Sequence, residues 1–186
     1  VNRIKADSQG YLILGAAYTN FNVDLSGLPG IKVGTDQNNL YYNGTVTPEG
    51  DVYRTGGGLV SYASGNYGLV LTNLVNDGVT ARTLVVDGYG MVRPAGAYNN
   101  YSGGTVVSNG GALHLREDSG LGKIPDEYDA DNVYVNKGVF RPGATTFTMN
   151  AKRGLTVGPD GMTLHPNGSQ TFTMLGGLHG SGAITN

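Results

Sequence analysis

The sequence contains no cysteine, which excludes a disulfide framework and any zinc site built on thiolates. Charge is scarce as well: 14% of residues are Asp, Glu, Lys or Arg, and the net charge is −2. A nucleic-acid-binding face needs a clustered positive surface, and no Lys/Arg cluster supplies one, so nucleic acid is not an expected partner. No apolar run approaches the roughly 20 residues of a membrane-crossing helix, so no membrane span is expected in this segment. Glu, Lys and Ala are thinly used, and without these helix formers a helical fold is untenable.

What fills the space is a strand-and-turn vocabulary of Thr, Val, Tyr, Asn and Gly. Glycine, at 32 of 186 residues, is more than twice as frequent as in an average protein and lacks the every-third spacing of collagen. At this length one sizeable domain is expected.

The stretch Tyr101–Leu115, YSGGTVVSNGGALHL, sets the pattern. Thr105 and Val107 share one face of a strand; Gly111 follows Val107 by four residues and Leu113 by six. Leu84 and Val86 are followed at the same spacings by Gly90 and Val92. Downstream come Val133, Val135, Gly138 and Phe140, then Leu155, Val157, Gly161 and Thr163, and finally Leu178, Gly182 and Ile184. With Val86, Val107, Val135, Val157 and Leu178 as anchors, successive intervals are 21, 28, 22 and 21 residues.

A period in the low twenties, made of strand, turn, glycine and strand, marks a solenoid. A unit so short cannot bury its own apolar face and must stack on its neighbours. The reading is an all-β parallel β-helix with coils of about 21–22 residues, about eight coils in all, and a stack on the order of 40 Å long at strand spacing. The alternative is a β-sandwich, which also has short strands and regular turns.

Two regions follow. Residues 1–83 are expected to form less regular coils, with strands at Tyr11–Leu14, Phe21–Leu25, Ile31–Val33 and a run at Leu59–Tyr62. Residues 84–186 are expected to form regular repeats, interrupted by an acidic loop at about 117–131 that projects from one face. That loop holds Glu117, Asp118, Asp126, Glu127, Asp129 and Asp131. The chain begins at Val1 and stops at Asn186, just after a repeat signature, which predicts a fragment of a larger protein.

The acidic loop lacks the spacing of an EF-hand or of a calcium-binding β-roll, and it reads as a solvated loop. Gly120-Leu-Gly-Lys123 lacks the upstream glycine and the Ser/Thr of a phosphate loop. Asp87, Arg93, Arg116, Arg141 and Lys152 are the residue types that cleave acidic polysaccharides, but no spacing fixes two together. Arg93-Pro94 and Arg141-Pro142 recur at equivalent positions, which points to a structural corner. His114, His165 and His179 lie in separate coils without metal-ligand spacing and read as outward strand or turn residues. Tyrosines such as Tyr41, Tyr42, Tyr98 and Tyr101 suit half-buried packing, with stacking on sugars or protein as the alternative. Sequons at Asn43, Asn100 and Asn167 are explained by composition. No catalytic, cofactor-binding or metal-ligating residue is assigned, and no cofactor is expected.

The segment Tyr101-Ser-Gly-Gly-Thr-Val-Val107 followed by Asn109-Gly-Gly-Ala-Leu113 resembles the autotransporter-associated β-strand repeat. Arg153–Gly158 and Gly177–Ile184 are similar to later coils of that repeat, and the resemblance is good over 84–186 and loose before. It implies a right-handed parallel β-helix in a secreted or cell-surface protein of a Gram-negative bacterium, and the repeat itself carries no catalytic residue. The expected function is therefore a non-enzymatic, extracellular structural or adhesive segment, a spacer or fibre building block. Its expected partners are other copies through exposed coil ends, and a glycan or surface ligand. The alternative is a β-helix that binds or depolymerises carbohydrate.

Overall fold

Leu84 and Val86 are buried between half-buried neighbours along one strand, and this period-two alternation is the unit from which the molecule is built. The computed structural model describes residues 4–16, 20–56, 58, 68–75, 78, 80–96, 98–143, 146–166, 168 and 171–186. The expected run at Leu59–Tyr62 and the sequon at Asn167 lie outside them.

One sheet has eight strands, in the order β1 (Gly10–Leu14), β3 (Ile31–Thr35), β6 (Val52–Thr55), β8 (Thr83–Asp87), β10 (Thr105–Ser108), β12 (Asp129–Asn136), β15 (Arg153–Val157) and β18 (Leu178–Gly180). A second has seven, in the order β4 (Leu40–Tyr42), β7 (Leu69–Leu71), β9 (Gly90–Pro94), β11 (Gly111–Leu115), β13 (Gly138–Pro142), β16 (Met162–Leu164) and β19 (Ile184–Thr185). Two short pairs lie on the return stretches: β2 (Val23–Asp24) with β5 (Val46–Thr47), and β14 (Thr146–Met149) with β17 (Thr171–Met174).

The chain alternates between the two long sheets, so each strand bonds to the coils before and after it. The pairing is parallel throughout these ladders. A sandwich would require antiparallel neighbours, so the alternative falls and the fold is a β-solenoid. The eight strands of the first sheet give seven complete turns and the start of an eighth.

Three of the four anchor steps match the expected register: Val86 pairs with Val107, Val107 with Val135, and Val135 with Val157. The fourth does not, because Leu178 pairs with Leu155 and Gly180 takes the place beside Val157. A two-residue shift keeps every side chain on its own face, so Leu178 still belongs to an inward column. In the second sheet the shift is one residue. Gly138 pairs with Met162, not Gly161, and Leu164, not Thr163, continues the column of Phe140. The cause is the longer corner Gly158-Pro159-Asp160-Gly161, which delays the second strand. A one-residue shift exchanges the faces, so Thr163 lies on the outside.

Inside, columns such as Val86-Val107-Val135-Val157 and Leu69-Val92-Leu113-Phe140 are almost wholly buried. Each such side chain contributes roughly 1.5–3 kcal/mol. In the later coils Phe172 stacks on Phe147, with ring centroids 5.3 Å apart, and lies tilted against Phe140 at 5.4 Å. The tyrosine pairs divide: Tyr42 and Tyr101 are buried while Tyr41 and Tyr98 are exposed. Tyr101 satisfies its hydroxyl inside, at 2.8 Å from the Thr105 hydroxyl and donating to the Gly120 carbonyl at 3.0 Å.

The acidic stretch 117–131 is only partly the projecting loop that was expected. A 3₁₀ turn at Asp118–Leu121 buries Gly120 and Leu121, and Asp129–Asp131 already belong to β12. Arg153, fully buried, gathers this segment: it donates to the carbonyls of Leu121, Gly122 and Lys123, to Asn132 and to the Asp118 carboxylate. Gly122 is required there. Its φ is +74°, and a Cβ would lie 2.1 Å from the Tyr101 carbonyl oxygen. Asp118 is therefore the counter-charge of a buried guanidinium, while Lys123 and Asp126 form an exposed pair at 3.1 Å.

Candidate functional site

Between the first and second sheet every coil turns a corner, and the corners stack. Tyr89, Gly110, Lys137, Gly161 and Ala183 each stand just before the second-sheet strand of their coil. The Gly110 N–H donates to the Lys137 carbonyl and the Lys137 N–H to the Gly161 carbonyl, both at 2.6 Å. Beyond the corner, Val139, Thr163 and Thr185 form an outward column of the second sheet. Between corner and column runs an open groove of about 360 Å³, lined by residues of five successive coils.

Its shape follows from residue size. Gly110, Gly138, Gly161 and Ala183 leave little side chain along its length, while Tyr89, Lys137 and Asp160 stand at its margins. Asp160 is clamped to the preceding coil: Asn136 Nδ2 donates to its carboxylate at 2.9 Å, and its own N–H donates to Asn136 Oδ1 at 2.8 Å. That clamp needs Gly158, since a Cβ there would lie 2.5 Å from both Asn136 Oδ1 and the Tyr134 hydroxyl. Lys137 has a left-handed backbone with φ 54°, as Asn109 does one coil earlier at φ 50°. Asn tolerates that conformation far better than Lys. Tyr89 is 54% exposed. Among the described residues, neither its hydroxyl nor the Lys137 ammonium makes a hydrogen bond or ion pair. The hydroxyls of Thr163 and Thr185 lie 3.2 Å apart.

A second open cleft, of about 520 Å³, lies where the early strands of the second sheet end. Asn43, Thr72, Asn73 and the exposed Tyr98 line it, with the Thr72 hydroxyl donating to Asn43 Oδ1 at 3.1 Å.

The residues singled out from the sequence are scattered by the fold, with one exception. Asp87 stands at the first-sheet side of the corner, ion-paired with Lys32. It accepts from Ser108 at 2.8 Å and Asn109 at 2.6 Å. Burial alone would raise its pKa, but the hydrogen bonds from Lys32, Asn109 and Ser108 outweigh burial and hold it below the ordinary value. Lys152 is exposed and donates to the Asp126 carbonyl at 2.5 Å. Tyr128 and His179, from different coils, meet on the surface, the hydroxyl 2.5 Å from Nε2. Among the described residues no three histidines or acids converge as metal ligands would, and no helix is long and apolar enough to cross a membrane.

The exception is Arg93, His114 and Arg141. Register places them side by side in one outward column of the second sheet. The two arginines occupy strands, not the corners expected of them, and His114 is wholly buried where a surface residue was expected. Outward on a strand does not mean exposed here, because this part of the outer face is covered: Met91, Ala112 and Val139 in the adjoining column are buried too. Gly143 leaves room for the imidazole, since a Cβ there would fall 1.6 Å from Nε2. Burial first, and then the charges of Arg141, Arg93 and Arg116, push the His114 pKa down to about 3. It is a neutral histidine held between cations.

Tyr89, Lys137 and Asp160 were not singled out from the sequence, and Thr163 was read only as a repeat position. Aligning the corners, instead of the valines, would have found the first three, since each sits just ahead of a second-sheet strand. Comparison with known protein families, with curated proteins and with solved structures finds no match to this chain.

Proposed function

We propose that this chain is a non-enzymatic structural or adhesive β-solenoid segment, working outside the cell as a spacer or fibre unit that extends by coil stacking. The observation that carries this reading is the pair of long parallel ladders, of eight and seven strands, in which inward columns such as Val86-Val107-Val135-Val157 run from coil to coil, a fold that lengthens by adding coils. Self-association through strand edges, which present unpaired backbone groups, is part of the proposal. In the last described coil Leu178 continues the inward column of Leu155 and Ile184 pairs with Met162, so a carboxylate at either would disturb a coil stacked there.

The secreted, Gram-negative cell-surface setting is part of the proposal and rests on the resemblance of 84–186 to the autotransporter-associated repeat. Light scattering at two concentrations and negative-stain imaging test the stacking. The expected result is rods that lengthen with concentration, and their disappearance in a Leu178→Glu, Ile184→Glu double variant. Mass that stays monomeric at both concentrations would remove self-association from the reading.

A further inference from the structure

We propose that the corner groove binds a neutral glycan chain laid along the stack axis. This concerns the adhesive side of the function, and it does not depend on whether coil ends stack.

The first argument is shape. The groove takes one lining position from each of five successive corners, from Tyr89 to Ala183. Four steps at strand spacing make it roughly 19 Å long. A trough that repeats its lining once per coil suits an elongated ligand that repeats too, and the spacing of coils is comparable with the length of one pyranose unit. Its volume, about 360 Å³, falls in the range of small-ligand sites.

The second argument is chemistry. A sugar ring has apolar C–H faces and a rim of hydroxyls that both donate and accept. Tyr89 offers an exposed aromatic face and a hydroxyl uncommitted among the described residues, the side-chain type that stacks on such a face. Lys137 is a pure donor, the Asp160 carboxylate a pure acceptor, and the Thr163 and Thr185 hydroxyls do both. One cation and one anion at the margins leave the groove without a net charge, which favours a neutral chain over a polyanion. An extended peptide is a poorer fit. It would add to a sheet edge through backbone bonds, whereas the corner N–H groups of Gly110 and Lys137 already bond to the next coil.

The third argument is preorganisation. Asp160 is fixed by two hydrogen bonds to Asn136, and Lys137 is pinned between neighbouring corners in a backbone conformation that suits Asn better. A charged side chain held in a costly conformation at the margin of an open groove is how binding sites are commonly built. Gly110, the corner residue that bonds to Lys137 from the preceding coil, shows that the corner does not need a lysine.

The test uses the intact chain and a defined panel: tetrasaccharides of β-1,4-glucose, β-1,4-N-acetylglucosamine and α-mannose, with tetragalacturonate as the acidic member. Calorimetry measures binding, and ¹H–¹⁵N spectra follow the amides of Gly110, Gly138 and Gly161. The expected result is saturable binding of at least one neutral tetrasaccharide that shifts those amides. Tyr89→Ala and Lys137→Asn should each weaken it by about tenfold, the worth of one well-placed contact. Lys137→Asn installs a residue type that adopts the left-handed backbone readily, as Asn109 does, so it removes the ammonium without breaking the corner. Failure of every neutral member to bind overturns the proposal. So does binding that both variants leave unchanged, or preference for tetragalacturonate. Light scattering of the same samples scores stacking separately.

Discussion

Replacing Arg153 by methionine should lower the unfolding free energy by about 4 kcal/mol, the scale set by breaking a buried ion pair from one side. Arg153 has no exposed surface and donates five hydrogen bonds. They range from 2.7 Å to Asn132 Oδ1 and the Gly122 carbonyl to 3.2 Å to Asp118 and the Lys123 carbonyl. Methionine fills much of the volume but leaves Asp118 without its cation, its side chain only 20% exposed. It also strands three carbonyls that the guanidinium had gathered. Lysine should restore only part of the loss, because a single ammonium cannot match a planar fork reaching several acceptors. Urea unfolding measures the effect. A double variant with Asp118→Asn should recover part of it, since the carboxylate left behind is part of the cost. A loss below about 1 kcal/mol, the scale of an exposed pair, would mean that the 118–123 segment holds itself in place.

Acid should loosen the fold well before carboxylates titrate, through His114. The sign follows from the direction of its shift. Unfolded, the imidazole takes a proton near pH 6.5; folded, it stays neutral down to about 3. Across that window the unfolded chain binds the extra proton, so stability falls as pH falls, by about 1.4 kcal/mol per unit at most. Between pH 6.5 and 4.5 the loss should reach about 2 kcal/mol. Asp87, whose pKa is lowered, acts in the same direction but only as pH drops below its ordinary value near 3.8. The interval above pH 4.5 thus isolates the histidine. Urea midpoints from pH 7 to 4.5 should converge for the parent and His114→Gln as a neutral amide removes the proton uptake. Parallel lines for the two chains would show that His114 does not govern the slope.

Much of the fold was legible because a solenoid writes its contacts into local spacing. Val86, Val107, Val135 and Val157 had to share a column, since strand alternation and a repeated turn leave little freedom. The misreading began where a corner changed length: Gly158-Pro159-Asp160-Gly161 displaced Leu164 and Thr163 by one position, and no alternation rule reports that. His114 was misjudged for a different reason. Period-two patterning tells which face a residue is on, but not whether that face is covered. Arg153 was hidden beside Lys152, because two adjacent cations look alike until one is inside. The groove was the least legible part. Its residues come singly from coils some twenty residues apart, and each taken alone is an ordinary turn or strand residue.

The parallel pairing of successive coils also fixes how the molecule would bear a load. Hydrogen bonds between neighbouring coils run along the stack axis, so a pull between its two ends loads them in series, each interface carrying the full force. Yielding then proceeds coil by coil from an end, and each coil that lets go releases about 70 Å of chain, the extended length of some 22 residues. A stack built this way gives ground in steps while its remaining coils stay folded. The coils joined by Arg153, whose side chain bridges residues more than twenty positions apart in sequence, form the catch in that ratchet.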